Sequence, residues 1–143
     1  MKKFCIIAVI IATIGIGAYK AQKLDTPIHL YIPSCDIAVN CEYVSNPTSE
    51  RLQSIVDKQD IAAWYDCYIL DHAGQNFNGL WDITVGDEVI FGNVLYHCAF
   101  ITTGWSDSGI YPTYGEMPDA DLYLCTCIPY GHPYEIYIVG INR

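Results

Sequence analysis

From residue 28 onward the chain is cut into short alternating runs rich in Ile, Val, Tyr and Thr, with turn residues between them. Alternation with period two is the pattern of half-buried strands. Only one stretch has helical spacing. Many short strands with one modest helix point to a closed or nearly closed β-barrel. The length of 143 residues is that of a single domain, enough to bury a real core without covalent staples.

The runs can be placed. "HLYIPSCDIAVNCEYV", from His29, reads as two strands broken by Pro33 and Ser34-Cys35-Asp36. "NPTSERLQSIVDKQDIAAWY" reads as the helical part. Thr48 or Ser49 caps it, and Leu52, Ile55 and Val56 form its apolar stripe. A strand over Cys67–Leu70 leads into a Gly-Gln-Asn turn, and Phe77 and Leu80 anchor a short helical turn. Val89–Phe91 and Val94–Ile101 form a hairpin across the two-residue connection Gly92-Asn93. "WSDSGIYPTYGEMPD" reads as a loop whose Tyr and Trp content would equally suit recognition or plain packing. "ADLYLCTC" and "EIYIVG" are the last two strands.

The first 23 residues read separately. Lys2 and Lys3 precede an apolar run from Phe4 to Ala18, and Lys20 and Lys23 follow. That is the layout of an export signal. The run is short of the roughly 20 residues of a comfortable membrane span, and it shows no clear small-x-small cleavage site. It is expected to be an uncleaved N-terminal signal anchor (residues 1–23) ahead of a β-barrel domain over 27–143. The chain beyond it then lies outside the cytoplasm, held at the cell membrane.

Charge narrows the partners. The formal net charge is -9, and no Lys or Arg lies between residues 59 and 142. A surface like that does not bind the phosphates of nucleic acid. Seven cysteines in an exported chain raise the possibility of disulfides, and sequence does not choose among the pairings. Cys125 or Cys127 bonded to Cys67 or Cys98 is the structural alternative to chemistry at these sulfurs.

The chemistry centres on "LYLCTC". Cys125 and Cys127 share one face of their strand, and Cys127, at its end, is better placed to meet solvent. A cysteine nucleophile needs a base or cation that favours its thiolate. His29 reads as a surface residue, His97 as part of a strand, and His132 as an exposed turn residue. His72 follows a strand at the start of a Gly-rich loop, where a scaffold can hold a reactive side chain. A metal reading of Cys125, Cys127 and His132 lacks the usual ligand spacing, and neither metal nor cofactor is expected.

With those residues in view, the chain from about Pro27 resembles the sortases, exported cysteine transpeptidases. "IHLYIPSCDIAVNC" is similar to the sortase opening. "AAWYDCYILDHAGQNFNGLWDITVGDEVIF" is similar to the stretch around the family histidine. "LYLCTC" is similar to Thr-Leu-x-Thr-Cys, and "IPYG" to the segment that follows. The resemblance implies a mostly β, sortase-like closed barrel with one or two short helices. It makes Cys127 the nucleophile, His72 its partner, and Thr126 the residue whose backbone helps hold the oxyanion. It implies a sorting-signal peptide of a surface protein as substrate. The acceptor is an amine, on a cell-wall precursor or a pilin-like lysine, with cell-wall attachment, polymerisation or hydrolysis as outcomes.

One position departs from the family. Where sortases place an Arg before the apolar stretch of the last strand, this chain has Glu135. Arg143 lies about 26 Å further along an extended strand. Arg51 would reach the site only from a helix packed over the barrel mouth. A carboxylate at 135 is expected to oppose both an oxyanion and the Cys127 thiolate. Three readings stay open. Other donors act, such as the Thr126 amide, Tyr130, Tyr134 or His132; the chain is a differently specialised relative; or it is a catalytically impaired domain that binds a peptide or surface protein.

Overall fold

Pro33 ends the first strand and Asp36, at φ 54°, turns the chain back, so β1 (Ile28–Ile32) and β2 (Ile37–Tyr43) pair antiparallel. These and the following elements belong to a computed structural model that describes residues 27–106, 112–113, 117–128 and 135–143. The expected anchor, Tyr130, His132 and Tyr134 lie outside the described residues. Among the described residues no helix is long and apolar enough to cross a membrane.

Helix α1 (Ser49–Val56) follows β2. Thr48 caps it, its Oγ1 accepting from Arg51 N–H at 3.2 Å. The helix is shorter than the sequence pattern predicts. Ile61–Tyr65, expected to be helical, is strand β3, laid parallel to β2 with α1 as the crossover. The reason is local: the β-formers Trp64 and Tyr65 are buried on both faces of the sheet, which a strand permits.

Asp66, at φ 46°, turns β3 into β4 (Tyr68–Leu70). A 3-10 turn at Leu80–Asp82, close to the expected helical turn, leads to β5 (Glu88–Phe91) and β6 (Val94–Ser106). Gly92 makes their hairpin at φ 62°, the left-handed conformation a two-residue type II′ turn requires at its first position. The short β7 (Pro112–Thr113) pairs with β6. β8 (Leu122–Cys127) and β9 (Glu135–Asn142) complete the sheet.

The order β5-β1-β2-β3-β4-β8-β9-β6 returns on itself through the β5–β6 pairing, so eight strands close a barrel and β7 hangs on β6. Alternation sorts the side chains. Leu122, Leu124, Tyr137, Val139 and Ile141 enter the interior with Leu30, Phe77 and Phe91. Tyr123, Cys125, Ile136 and Ile138 face outward, covered by Leu52, Ile55 and Val56 of α1. Burying each such aliphatic side chain contributes about 1.5–3 kcal/mol, which holds α1 on the outside of the barrel, chiefly against β3.

Candidate active site

β4 and β8 run parallel with Leu70 opposite Cys125. Two residues further on in each chain are His72 and Cys127, which therefore leave the sheet at the same level and side by side. They share a shallow cleft with Val56, Leu70, Asp71, Cys125, Thr126 and Ile136. Gly79 lets the loop after His72 pass close to the first strands: a Cβ there would collide with the Cys35 carbonyl oxygen.

The two strand cysteines differ sharply. Cys125 is 2% exposed and burial drives its thiol far above the ordinary value. Cys127, at the strand end, is exposed. Both are free thiols. Cys127 is held below the ordinary thiol value, first by its contact with the His72 side chain, against partial burial. The Ala73 backbone N–H and the charge of His72 act in the same direction. In turn His72 is raised to about 9, chiefly through Cys127, with Asp57 adding to it and burial opposing. Each charge favours the other, so thiolate and imidazolium are mutually stabilised.

Asp71 is buried, not solvated. Its carboxylate accepts from the His72 backbone N–H at 2.7 Å and from Asn76 Nδ2 at 2.6 Å, and burial still pushes it up to about 6. It shapes the loop that carries His72. Thr126 is buried with its Oγ1 donating to the Asp71 carbonyl at 2.8 Å, which ties the ends of β4 and β8 together. His29 and His97 lie on the exposed surface, away from the cleft.

Neither Arg51 nor Arg143 reaches Cys127. Arg51 sits near the start of α1 and gives Nη1 to the Asn46 carbonyl at 3.1 Å. Arg143 pairs with Asp121 at 3.7 Å, at the other end of β8 from Cys127. Glu135 is not in the cleft either. The residue directly across from Cys127 is Ile136, while Glu135 stands across from Trp105. Alternation puts Glu135 on the opposite face of β9, and it is absent from the influences on Cys127. In this register the residue across from the sulfur is the apolar Ile136.

Sequence reading missed what α1 brings. His72 Nε2 lies 3.2 Å from Asp57 Oδ1, and Gln53 Nε2 donates to the same oxygen at 2.6 Å. The only local hint is their i, i+4 spacing at the helix end.

No protein-family model matches the chain, and no curated protein matches it in sequence. Solved structures do match its fold. Sortase A from Corynebacterium diphtheriae superposes with a TM-score of 0.61 at 17% identity, covering 90% of this chain and 69% of that one. Sortase A of Listeria monocytogenes gives 0.57 at 12% identity, covering 81% and 86%. Sortase E1 from Streptomyces coelicolor, solved with a tripeptide in the active site, gives 0.58 at 16%, covering 83% and 88%. The chain has a sortase-like fold.

Proposed function

We propose that this sortase-like barrel is a cysteine transpeptidase that cleaves a sorting-signal peptide and passes it to an amine. The observation that carries the reading is the Cys127–His72 contact, in which the thiol is lowered and the imidazole raised to about 9. Cys127 Sγ attacks the scissile carbonyl carbon. The C–N bond breaks as the His72 imidazolium gives its proton to the leaving amine, and a thioester remains. The acceptor amine then attacks the thioester carbonyl, its proton returns to His72, and the thiolate leaves. Water in place of the amine gives hydrolysis. Thr126, through its backbone, and Tyr130 and Tyr134 are the proposed oxyanion and substrate contacts. The N-terminal segment would hold the barrel on the outer side of the cell membrane, where a surface-protein peptide and a cell-wall or pilin-like amine are met.

A second reading has its own support. Among the described residues no Lys or Arg lines the cleft, and Ile136 faces the sulfur. That favours a domain that binds the peptide with little or no turnover.

The test is site-resolved thiol alkylation of the residue 27–143 portion in the full-length protein, read by mass spectrometry from pH 5 to 9. Cys127 is expected to label far faster than buried Cys125, and His72→Ala to slow it at neutral pH by about tenfold or more. Incubation with sorting-type peptides is expected to add an acyl mass to Cys127. Fast labelling without any acyl adduct supports the binding reading, and slow labelling indifferent to His72 overturns the catalytic pair.

A further inference from the structure

Asp57 occupies a place that its helix does not explain. It follows the last residue of α1, at the carbonyl end, where a negative charge is unfavourable to the helix. Its side chain is 60% exposed, so it fills no core space. Yet its Oδ1 is fixed by Gln53 Nε2 at 2.6 Å and meets His72 Nε2 at 3.2 Å. The helix that delivers it is anchored by buried Leu52, Ile55 and Val56.

We propose that Asp57 is a positioning residue for His72, a role that rests on the Cys127–His72 reading above. Its carboxylate accepts the Nε2 proton, fixes the plane of the imidazole, and leaves Nδ1 to serve Cys127 and the departing amine. Gln53 holds the carboxylate in that place. The contact also keeps the ring protonated, which matters more here because the cleft has no guanidinium and His72 is the cation beside the sulfur.

The groups around His72 are few. Cys127 comes from β8, Asp57 from the residue after α1, and Gln53 from α1, its Nε2 also 3.2 Å from His72 Nε2. The Asp71 carboxylate is turned to the His72 backbone N–H and Asn76 rather than to the ring. Lys58, next to Asp57, is drawn to Glu42 at 3.7 Å. No described cation competes for Asp57, so its charge is spent on His72.

The experiment compares the unaltered full-length protein with Asp57→Asn and Asp57→Glu. It reads the His72 ring titration by NMR, the pH midpoint of Cys127 alkylation, and the unfolding midpoint. In Asp57→Asn the His72 midpoint is expected to fall and the Cys127 midpoint to rise. Each shift is roughly half a pH unit, the size of a partly exposed ion pair, or about threefold in thiolate fraction on the acid limb. Asp57→Glu is expected to restore much of both, and high salt to shrink the difference. Unchanged midpoints in Asp57→Asn, with or without lost stability, overturn the proposal while leaving the Cys–His pair standing. A Cys127 that titrates as an ordinary thiol in the unaltered protein overturns the underlying pair, and the role of Asp57 with it.

Discussion

A cation added beside Cys127 should act from position 136 and not from position 135. The resemblance to sortases would set Glu135 at the place of the family Arg, but the β8–β9 register sets Ile136 across from Cys127. Directly paired residues share a face, with Cα atoms about 4.5–5.5 Å apart. Ile136 is 4% exposed and lines the cleft, whereas Glu135 pairs with Trp105, which is 54% exposed. In Ile136→Arg a guanidinium within about 5 Å of Sγ, at an effective dielectric near 20, attracts a thiolate by about 3 kcal/mol. The open side of the cleft screens roughly half of that. The Cys127 midpoint is then expected to fall by a further ~1 pH unit. The change also removes a buried aliphatic side chain and partly buries a charge, at a cost of about 2–4 kcal/mol.

Glu135→Arg reverses a charge on the other face of β9, with the strand and water between it and the sulfur. Its effect on the Cys127 midpoint is expected to stay below ~0.2 units at physiological salt. Alkylation across pH 5 to 9 measures both variants, and thermal unfolding reports the stability cost. Ile136→Leu serves as the neutral control. If Glu135→Arg moves the midpoint as far as Ile136→Arg, the register argument is wrong and position 135 faces the sulfur. The Glu135→Arg arm stands alone should Ile136→Arg fail to fold.

Two further outcomes follow from the same geometry. Acyl transfer is expected to be bell-shaped in pH: its acid limb lies below the ordinary thiol range as Cys127 ionises, and its basic limb lies near 9 as His72 loses its proton. A rate that keeps rising through pH 9 counts against His72 as the acid. Leu52→Ala, at a fully buried position of α1, is expected to lower unfolding stability by about 2–5 kcal/mol in denaturant titration; a loss under 1 kcal/mol would mean that α1 is not docked on the barrel.

The barrel was legible because its signals are local. Alternation, Gly92-Asn93 and the Pro33 break each act over a few residues, and period two alone separates exposed Cys127 from interior Thr126. The end of α1 was not legible, since Ile61–Tyr65 becomes a strand only by pairing with β2. The meeting of His72 with Cys127 depends on the parallel β4–β8 pairing between residues some fifty positions apart, for which no local residue speaks. Resemblance to a family could supply that pairing; periodicity could not. The same limit applies at Glu135. A position counted along the chain gives no face, because one step along a strand reverses the side chain.

In the proposed reaction the charges of the site would serve proton donation better than oxyanion stabilisation. His72, near 9 and braced by Asp57, stays protonated at neutral pH and is well suited to give its proton to a leaving amine. The carbonyl oxygen has no such provision from a charged side chain among the described residues. Asp57 and, above about pH 6, Asp71 add negative charge nearby, and Ile136 offers no donor. In the proposed reaction the Thr126 backbone, with Tyr130 and Tyr134, would then have to hold the oxyanion, and fixed dipoles can do so without a full cation. A site of this kind pairs an acid that is held protonated at neutral pH with modest oxyanion support. In the proposed reaction its negative surroundings would draw a cationic acceptor amine towards the thioester, where the amine must lose a proton before it attacks, and both the first attack and the final transfer would pass through an oxyanion that no guanidinium meets.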